Sequence, residues 1–224
     1  MPYTVPVAFD QFRANIELPG DHREISTKRK DAIVSLLKHD FVILEAFPSG
    51  SIARYTAVRG YADLDVMVVL HYGKHIQGKS PAQVLQSVRN ALGKYRTNVR
   101  KNGQAVTLYY TTWPTVDIVP VFRTGDGGGG VSHYNVPDMN RGVWIPSRPK
   151  THSRHMQEKN DTCGVEFKRI IKMMKWWNHQ HSSLLQSFHI EVLALRVFNR
   201  YLADYPWDAF EFFKEAALLA NSPL

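Results

Sequence analysis

The stretch GSIARYTAVRGYADLDVMVVL, residues 50–70, decides how this chain is read. Gly50-Ser51 follows Pro48-Ser49 and ends a short apolar run, Phe41 to Phe47, so it sits in a turn after a strand. After eleven intervening residues comes Asp63-Leu64-Asp65-Val66. Leu64 to Leu70 is dense in Val and Leu and reads as a second strand. Side chains alternate along a strand, so Asp63 and Asp65 share one face, while Leu64, Val66, Val68 and Leu70 point into the core.

Two neighbouring carboxylates repel each other and lose hydration; a divalent cation between them turns this into a favourable arrangement. Asp117, in Thr115-Val116-Asp117-Ile118-Val119, is a third carboxylate in an apolar strand. If that strand pairs beside the first, Asp117 joins the pair. An all-carboxylate set suits Mg²⁺ and not zinc. Upstream, the Gly50-Ser51 turn offers backbone N–H groups and a hydroxyl to a phosphate. A phosphate cradle beside a carboxylate pair is the equipment of two-metal phosphoryl transfer.

Outward from this stretch the pattern is mixed, then helical. Ser26 to His39 reads as a helix, Ile52 to Tyr55 as a short one, and Ser80-Pro81 as the start of another with Val84, Leu85, Val88 and Leu92 on its apolar face. Ala105 to Tyr110 and Thr115 to Phe122 read as strands, and Thr124 to Gly130 as a glycine-rich loop. Helices are expected near 150–159, 163–181, 187–204 and 206–220. The fold class is therefore α+β: a mixed-sheet lobe over residues 1–149 and a helical lobe over 150–224.

Gly50-Ser51, Asp63-x-Asp65 and the later Asp117 resemble the DNA-polymerase-β-like nucleotidyltransferase superfamily. Within it, residues 50–70 followed by TVDIVPVF are similar to the CD-NTases, the bacterial relatives of cyclic GMP–AMP synthase. The likeness extends through Val136-Pro137-Asp138, Gly142-Val143-Trp144-Ile145, the helix FKRIIKMMKWW (Phe167 to Trp177) and LLQSFHIEVL (Leu184 to Leu193). It implies an active site in a cleft between the lobes. It also implies template-independent joining of ribonucleoside triphosphates into a cyclic oligonucleotide signal of anti-phage defence. Two Mg²⁺ ions, or Mn²⁺ in their place, would be held by Asp63, Asp65 and Asp117. Linear synthesis, RNA-end extension, nucleotidylation of a protein, or nucleotide or RNA binding without catalysis are the alternatives. Lys175, with Lys172, would reach the triphosphate; the other reading is a solvated face, since Lys168, Lys172 and Lys175 recur along one side of the helix. Ser187 would contact the triphosphate at a helix N-terminus, as an N-cap, a phosphate ligand or both. Phe188 would stack on a base or fill the core. Family members carry further helical sequence beyond the point where this chain ends.

The remaining features narrow the class. With 28 basic and 20 acidic residues the formal charge is +8, which suits nucleotides, nucleic acid or an acidic membrane face. Cys163 is the single cysteine, so no internal disulfide can form, and it reads as a packing residue in a reducing, cytoplasmic setting. No apolar run approaches the roughly 20 residues of a membrane span. His179 and His181 read as exposed residues after a helix. Lys94, Arg96, Arg100 and Lys101 form a basic cluster able to touch nucleic acid, read here as a solvated surface near a turn.

Overall fold

The computed structural model describes residues 4–127 and 131–219. Among them, one compact unit takes in residues 20–53 and 62–151; the other takes in residues up to 19, 54–61 and those from 152 onward. The chain passes between units at 19/20, 53/54, 61/62 and 151/152, so neither is a single run of sequence. The first unit carries the sheet and the second is helical.

In the sheet unit, helix α2 (His22–Leu37) precedes strand β1 (Ile43–Ser49), and the short helix α3 (Gly50–Arg54) follows it. Then come β2 (Leu64–Leu70), a π-helical turn (Tyr72–Ile76), α4 (Pro81–Gly93), β3 (Val99–Asn102), β4 (Ala105–Leu108), β5 (Val116–Gly127), β6 (Val131–Asp138) and β7 (Val143–Ser147). The main sheet runs β1-β2-β5-β4-β3, with β6 pairing β5 and β7 pairing β6. Strands β2 and β5 are parallel; the other pairs are antiparallel. A parallel pair needs a long crossover, which α4 and the β3–β4 hairpin provide.

Helix α4 forms where Ser80-Pro81 predicts it. The Ser80 hydroxyl accepts from the Gln83 N–H at 3.3 Å, and Gln83 Oε1 accepts from the Ser80 N–H at 2.8 Å, closing a capping box. Its buried face is Val84, Leu85, Val88, Ala91 and Leu92. Helix α2 begins at His22, four residues before the expected Ser26, which instead lies buried within it.

Strand β2 departs from simple alternation. Leu64, Val66, Val68 and Leu70 are buried as expected, but so are Met67 and Val69. The second face packs with Val121, Tyr134 and Val136, with Phe47, Val119 and Ile145 against them. Much of this cover comes from β6 and β7. The run Ser132-His133-Tyr134-Asn135 in β6 is too polar to announce a strand, and its role emerges only from pairing with β5. Of the Thr124–Gly130 stretch, residues 124–127 belong to β5 and not to a loop, while 128–130 lie outside the described residues.

The helical unit holds α1 (Val5–Ile16), α5 (Pro149–Cys163, its first residues in the sheet unit), α6 (Glu166–Gln180), α7 (Ser187–Val197) and α8 (Tyr205–Leu219). Helix α1 had no sequence prediction: Val5 and Val7 are exposed, and only Phe9, Phe12 and Ile16 face the helical core. That core includes Met156, Phe167, Ile170, Ile171, Met174, Ile190, Leu193, Phe198 and Phe212. Helix α7 stops at Val197 and not near 204, because Phe198 is extended (φ −88, ψ 119). Its carbonyl accepts from Lys159 Nζ at 2.9 Å and its ring is fully buried. Cys163 is buried beside it, a packing residue. No described helix is long and apolar enough to cross a membrane.

Candidate functional site

The parallel pairing of β2 and β5 sets the carboxylates. Asp65 is in register with Asp117, and Leu64 with Val116. Asp63 immediately precedes β2, where the Leu64 N–H donates to Thr115 O at 2.9 Å and Trp113 Nε1 donates to Ala62 O at 2.8 Å. Asp63 is exposed as a residue, yet desolvation of its carboxyl, followed by the nearby Asp117 charge, raises its pKa above the ordinary carboxylate value. The three aspartates therefore occupy one corner of the sheet.

Gly50 and Ser51, expected as a turn, open helix α3 directly after β1, and they belong to the same corner. Ser49 is in register with Asp65 across β1 and β2. Gly50 has φ +66, and a Cβ placed there would lie 1.7 Å from Asp65 Oδ2. The sequence assigned this glycine to phosphate approach; the structure adds a stricter demand, because the Asp65 carboxylate rests where a side chain would stand. Asp117 is oriented by a residue the sequence reading missed. Thr107 Oγ1 donates to Asp117 Oδ1 at 2.5 Å, from the facing register position on β4. A lone Thr in the apolar run Ala105-Val106-Thr107-Leu108 was the available signal.

Among the described residues, no three His, Cys, Asp or Glu side chains converge as a finished metal cage. The aspartates are neighbours without meeting at one point: Asp65 lies against Gly50 and Asp117 toward Thr107, and like charges favour that separation. The donor set still suits a hard cation, being carboxylate oxygen only.

The helical unit holds the other predicted residues, and here the structure corrects the lysine face. Lys175 is not solvated: it is 2 % exposed. Its Nζ lies 2.6 Å from Glu191 Oε1 and 3.1 Å from Thr56 Oγ1. Lys172 pairs with Glu17 at 2.5 Å, and Lys168 Nζ donates to Gln157 Oε1 at 2.7 Å. In this arrangement the Lys175 ammonium is committed to protein partners and is not open to a phosphate.

Glu191, which the sequence reading passed over, is the centre of that cluster. It is fully buried, and receives Arg54 Nε at 2.8 Å, the Thr56 hydroxyl at 2.5 Å and Lys175. His152 Nε2 lies 2.7 Å away. Burial alone would raise the carboxyl's pKa. The His152 contact and the Lys175 and Arg54 charges outweigh it and hold the pKa far below the usual range. A Glu three residues after Phe188 on a helix looks like ordinary surface, so nothing local marked it.

Ser187 is the first residue of α7, and Gln186 holds the N-cap position without a side-chain cap bond. Phe188 is 50 % exposed, with its ring 4.7 Å from that of His152, which removes the core reading. His179 stacks on Tyr61 at 4.1 Å and His181 on Trp177 at 4.3 Å, so the two histidines serve separate ring contacts.

Known proteins resemble this chain in sequence and fold. The profile of the Second Messenger Oligonucleotide or Dinucleotide Synthetase domain fits residues 3–160. A cyclic AMP-AMP-AMP synthase from Acinetobacter sp. is 28% identical over 188 residues, covering 79% of this chain and 52% of its own length. The chain thus spans about half of that relative. Among solved structures, Bradyrhizobium diazoefficiens CdnG in complex with GTP superposes with a TM-score of 0.77 at 14% identity, over 94% of this chain and 75% of its own. Elizabethkingia meningoseptica CdnE, a cyclic dinucleotide synthase with GTP and Apcpp, gives 0.71 at 19% identity, over 86% and 77%. These two share the fold. With the profile covering well over half its length, the chain belongs to the family of Second Messenger Oligonucleotide or Dinucleotide Synthetase domains.

Proposed function

We propose that this chain is a metal-dependent nucleotidyltransferase that joins ribonucleoside triphosphates, without a template, into a cyclic oligonucleotide second messenger of antiviral defence in the cytoplasm. The observation that carries the reading is the register of Asp65 with Asp117 on neighbouring parallel strands, with Asp63 beside them and Gly50 opened for the Asp65 carboxylate. The relatives named above support the product class: one is called a cyclic AMP-AMP-AMP synthase and another a cyclic dinucleotide synthase.

Asp63, Asp65 and Asp117 would hold Mg²⁺, or Mn²⁺ in its place. When bound, two such ions neutralise carboxylate repulsion, lower the pKa of an attacking ribose hydroxyl and stabilise charge on the departing pyrophosphate. Thr107 keeps Asp117 aimed through its hydroxyl hydrogen bond. Gly50 and Ser51, where α3 begins, offer backbone N–H groups and the Ser51 hydroxyl to the triphosphate. Ser187, at the positive end of α7, offers a further donor, and the exposed Phe188 ring offers a base a stacking face. Lys172 is paired with Glu17 and Lys175 with Glu191 and Thr56, so their part is to tie residues 17 and 56 to α6 and not to meet the triphosphate.

The test is incubation with all four ribonucleoside triphosphates and Mg²⁺ or Mn²⁺, beside Asp63→Ala/Asp65→Ala, with phosphatase-treated products read by mass spectrometry. A cyclic mass that requires the aspartates is expected. Linear products would replace the ring-forming reading, and absence of both product and pyrophosphate would sink the catalytic one.

A further inference from the structure

The basic cluster near residue 100 is organised around tyrosine rings. Arg29 lies 4.1 Å from the centroid of Tyr110, and Arg96 approaches the same ring at 5.9 Å. Arg100 lies 5.7 Å from the centroid of Tyr109. Arg29 is anchored: it donates to Thr112 O at 2.9 Å, to Thr112 Oγ1 at 2.7 Å, and to Pro114 O. The Tyr109 N–H donates to Asn98 O at 3.1 Å, which joins the 94–100 segment to the end of β4. Tyr95 and Tyr109 remain 47% and 44% exposed.

The charge balance of this surface is one-sided. Lys94 is neutralised by Asp40 at 2.5 Å, but among the described residues neither Arg96 nor Arg100 has a carboxylate partner. The sheet unit as a whole carries 16 Lys and Arg against 10 Asp and Glu, three of the latter being the site aspartates; the helical unit carries 12 against 10. Arginines without a carboxylate partner and half-exposed rings therefore lie on the two segments 95–100 and 109–110, which the Arg96–Tyr110 and Arg100–Tyr109 contacts join, on residues that the proposed chemistry does not use.

We propose that this face, built on Tyr95, Arg96, Arg100 and Tyr109, binds single-stranded nucleic acid. Guanidinium groups are planar donors matched to phosphate, and exposed tyrosine rings offer faces on which unpaired bases stack. An acidic polypeptide would satisfy the arginines but leave the rings unused. A duplex would keep its bases stacked on one another and away from them. Arg29, anchored on Thr112 and Pro114, packs on Tyr110, the ring that Arg96 also approaches.

The assay is fluorescence anisotropy of a labelled oligouridylate of roughly 12 nucleotides, with the intact chain, over about 50 to 200 mM salt. It requires no catalysis, so its outcome is separate from that of the synthetase assay. Saturable, salt-sensitive binding is expected. Arg96→Ala/Arg100→Ala is expected to weaken it about tenfold and to reduce the magnitude of the log–log salt slope by about 1.4, the value for two phosphate contacts. Tyr109→Ala is expected to weaken it about fivefold or more, while Tyr109→Phe, which keeps the ring, stays within about twofold. All these side chains are exposed, and equal melting temperatures would verify that the variants are folded. The proposal is overturned if no saturable binding occurs, or if the variants bind like wild type. It also fails if ATP with Mg²⁺ displaces the RNA, if a duplex of the same length binds equally well, or if polyglutamate competes as effectively as RNA.

Discussion

Glu191 is a carboxylate with no solvent exposure, surrounded by Arg54, Lys175, His152 and the Thr56 hydroxyl. Removing one partner of such a cluster leaves uncompensated buried charge. Glu191→Gln is therefore expected to cost about 3–5 kcal/mol, read as a shift of the urea midpoint. The folded pKa of Glu191 is depressed, so its contribution is complete above the unfolded carboxylate value and fades as pH falls through the folded one. The gap between wild type and variant should accordingly be constant near neutrality and narrow in strong acid. Asp63 has the opposite sign. Its folded pKa is raised, so in metal-free buffer its contribution is complete below the unfolded value and is lost as pH rises through the folded one. Relative to wild type, Asp63→Asn should gain melting temperature over that rise, and Mg²⁺ or Mn²⁺ should reverse the order by stabilising wild type more than the variant, which keeps only Asp65 and Asp117. Gly50→Ala brings a Cβ to within 1.7 Å of Asp65 Oδ2 at φ +66. The backbone strain is about 1–2 kcal/mol, while displacement of the carboxylate is expected to lower turnover about 100-fold; steady-state kinetics beside a thermal melt separates the two effects.

Among the elements, α4 was legible because its signals are local. Ser80, Pro81 and Gln83 specify its start within four residues, and the buried stripe repeats at helical spacing. Ser80→Ala should cost about 1 kcal/mol in chemical denaturation, the loss of one N-cap. Strands β6 and β7 were not legible, because their residues become strand-like only by pairing with β5 and covering Met67 and Val69. Helix α1 escaped notice for a related reason. Its apolar residues point both outward and inward, and contact with α6 and α8 decides which face is buried. The early end of α7 likewise rests on a remote group, since Lys159 holds the Phe198 carbonyl.

For the whole molecule, the two compact units interleave in sequence. Residues 54–61, which join the Ser51 turn to Asp63 along the chain, belong to the helical unit. They are fixed there by Arg54 and Thr56 on Glu191, by the Arg59 N–H donating to Ile16 O at 2.9 Å, and by Tyr61 stacked on His179. In native-state hydrogen exchange, the Arg59 amide should open with α6 and not with β2, and Glu191→Gln should lower its protection selectively. Exchange of that amide together with the β2 amides would contradict the assignment.

The sequence by itself determined the α+β class, the strand that carries Asp65 with Asp63 just before it, the third carboxylate and the Gly-Ser break after the preceding strand, because each rests on periodicity or spacing over a few residues. Tertiary structure alone decided that Asp65 stands opposite Asp117, that Gly50 must leave room for the Asp65 carboxylate, and that Lys175 turns inward to Glu191. Those outcomes depend on groups brought together from distant parts of the chain. Local pattern says which face a side chain takes; which charge or backbone waits on that face is settled only when the elements pack.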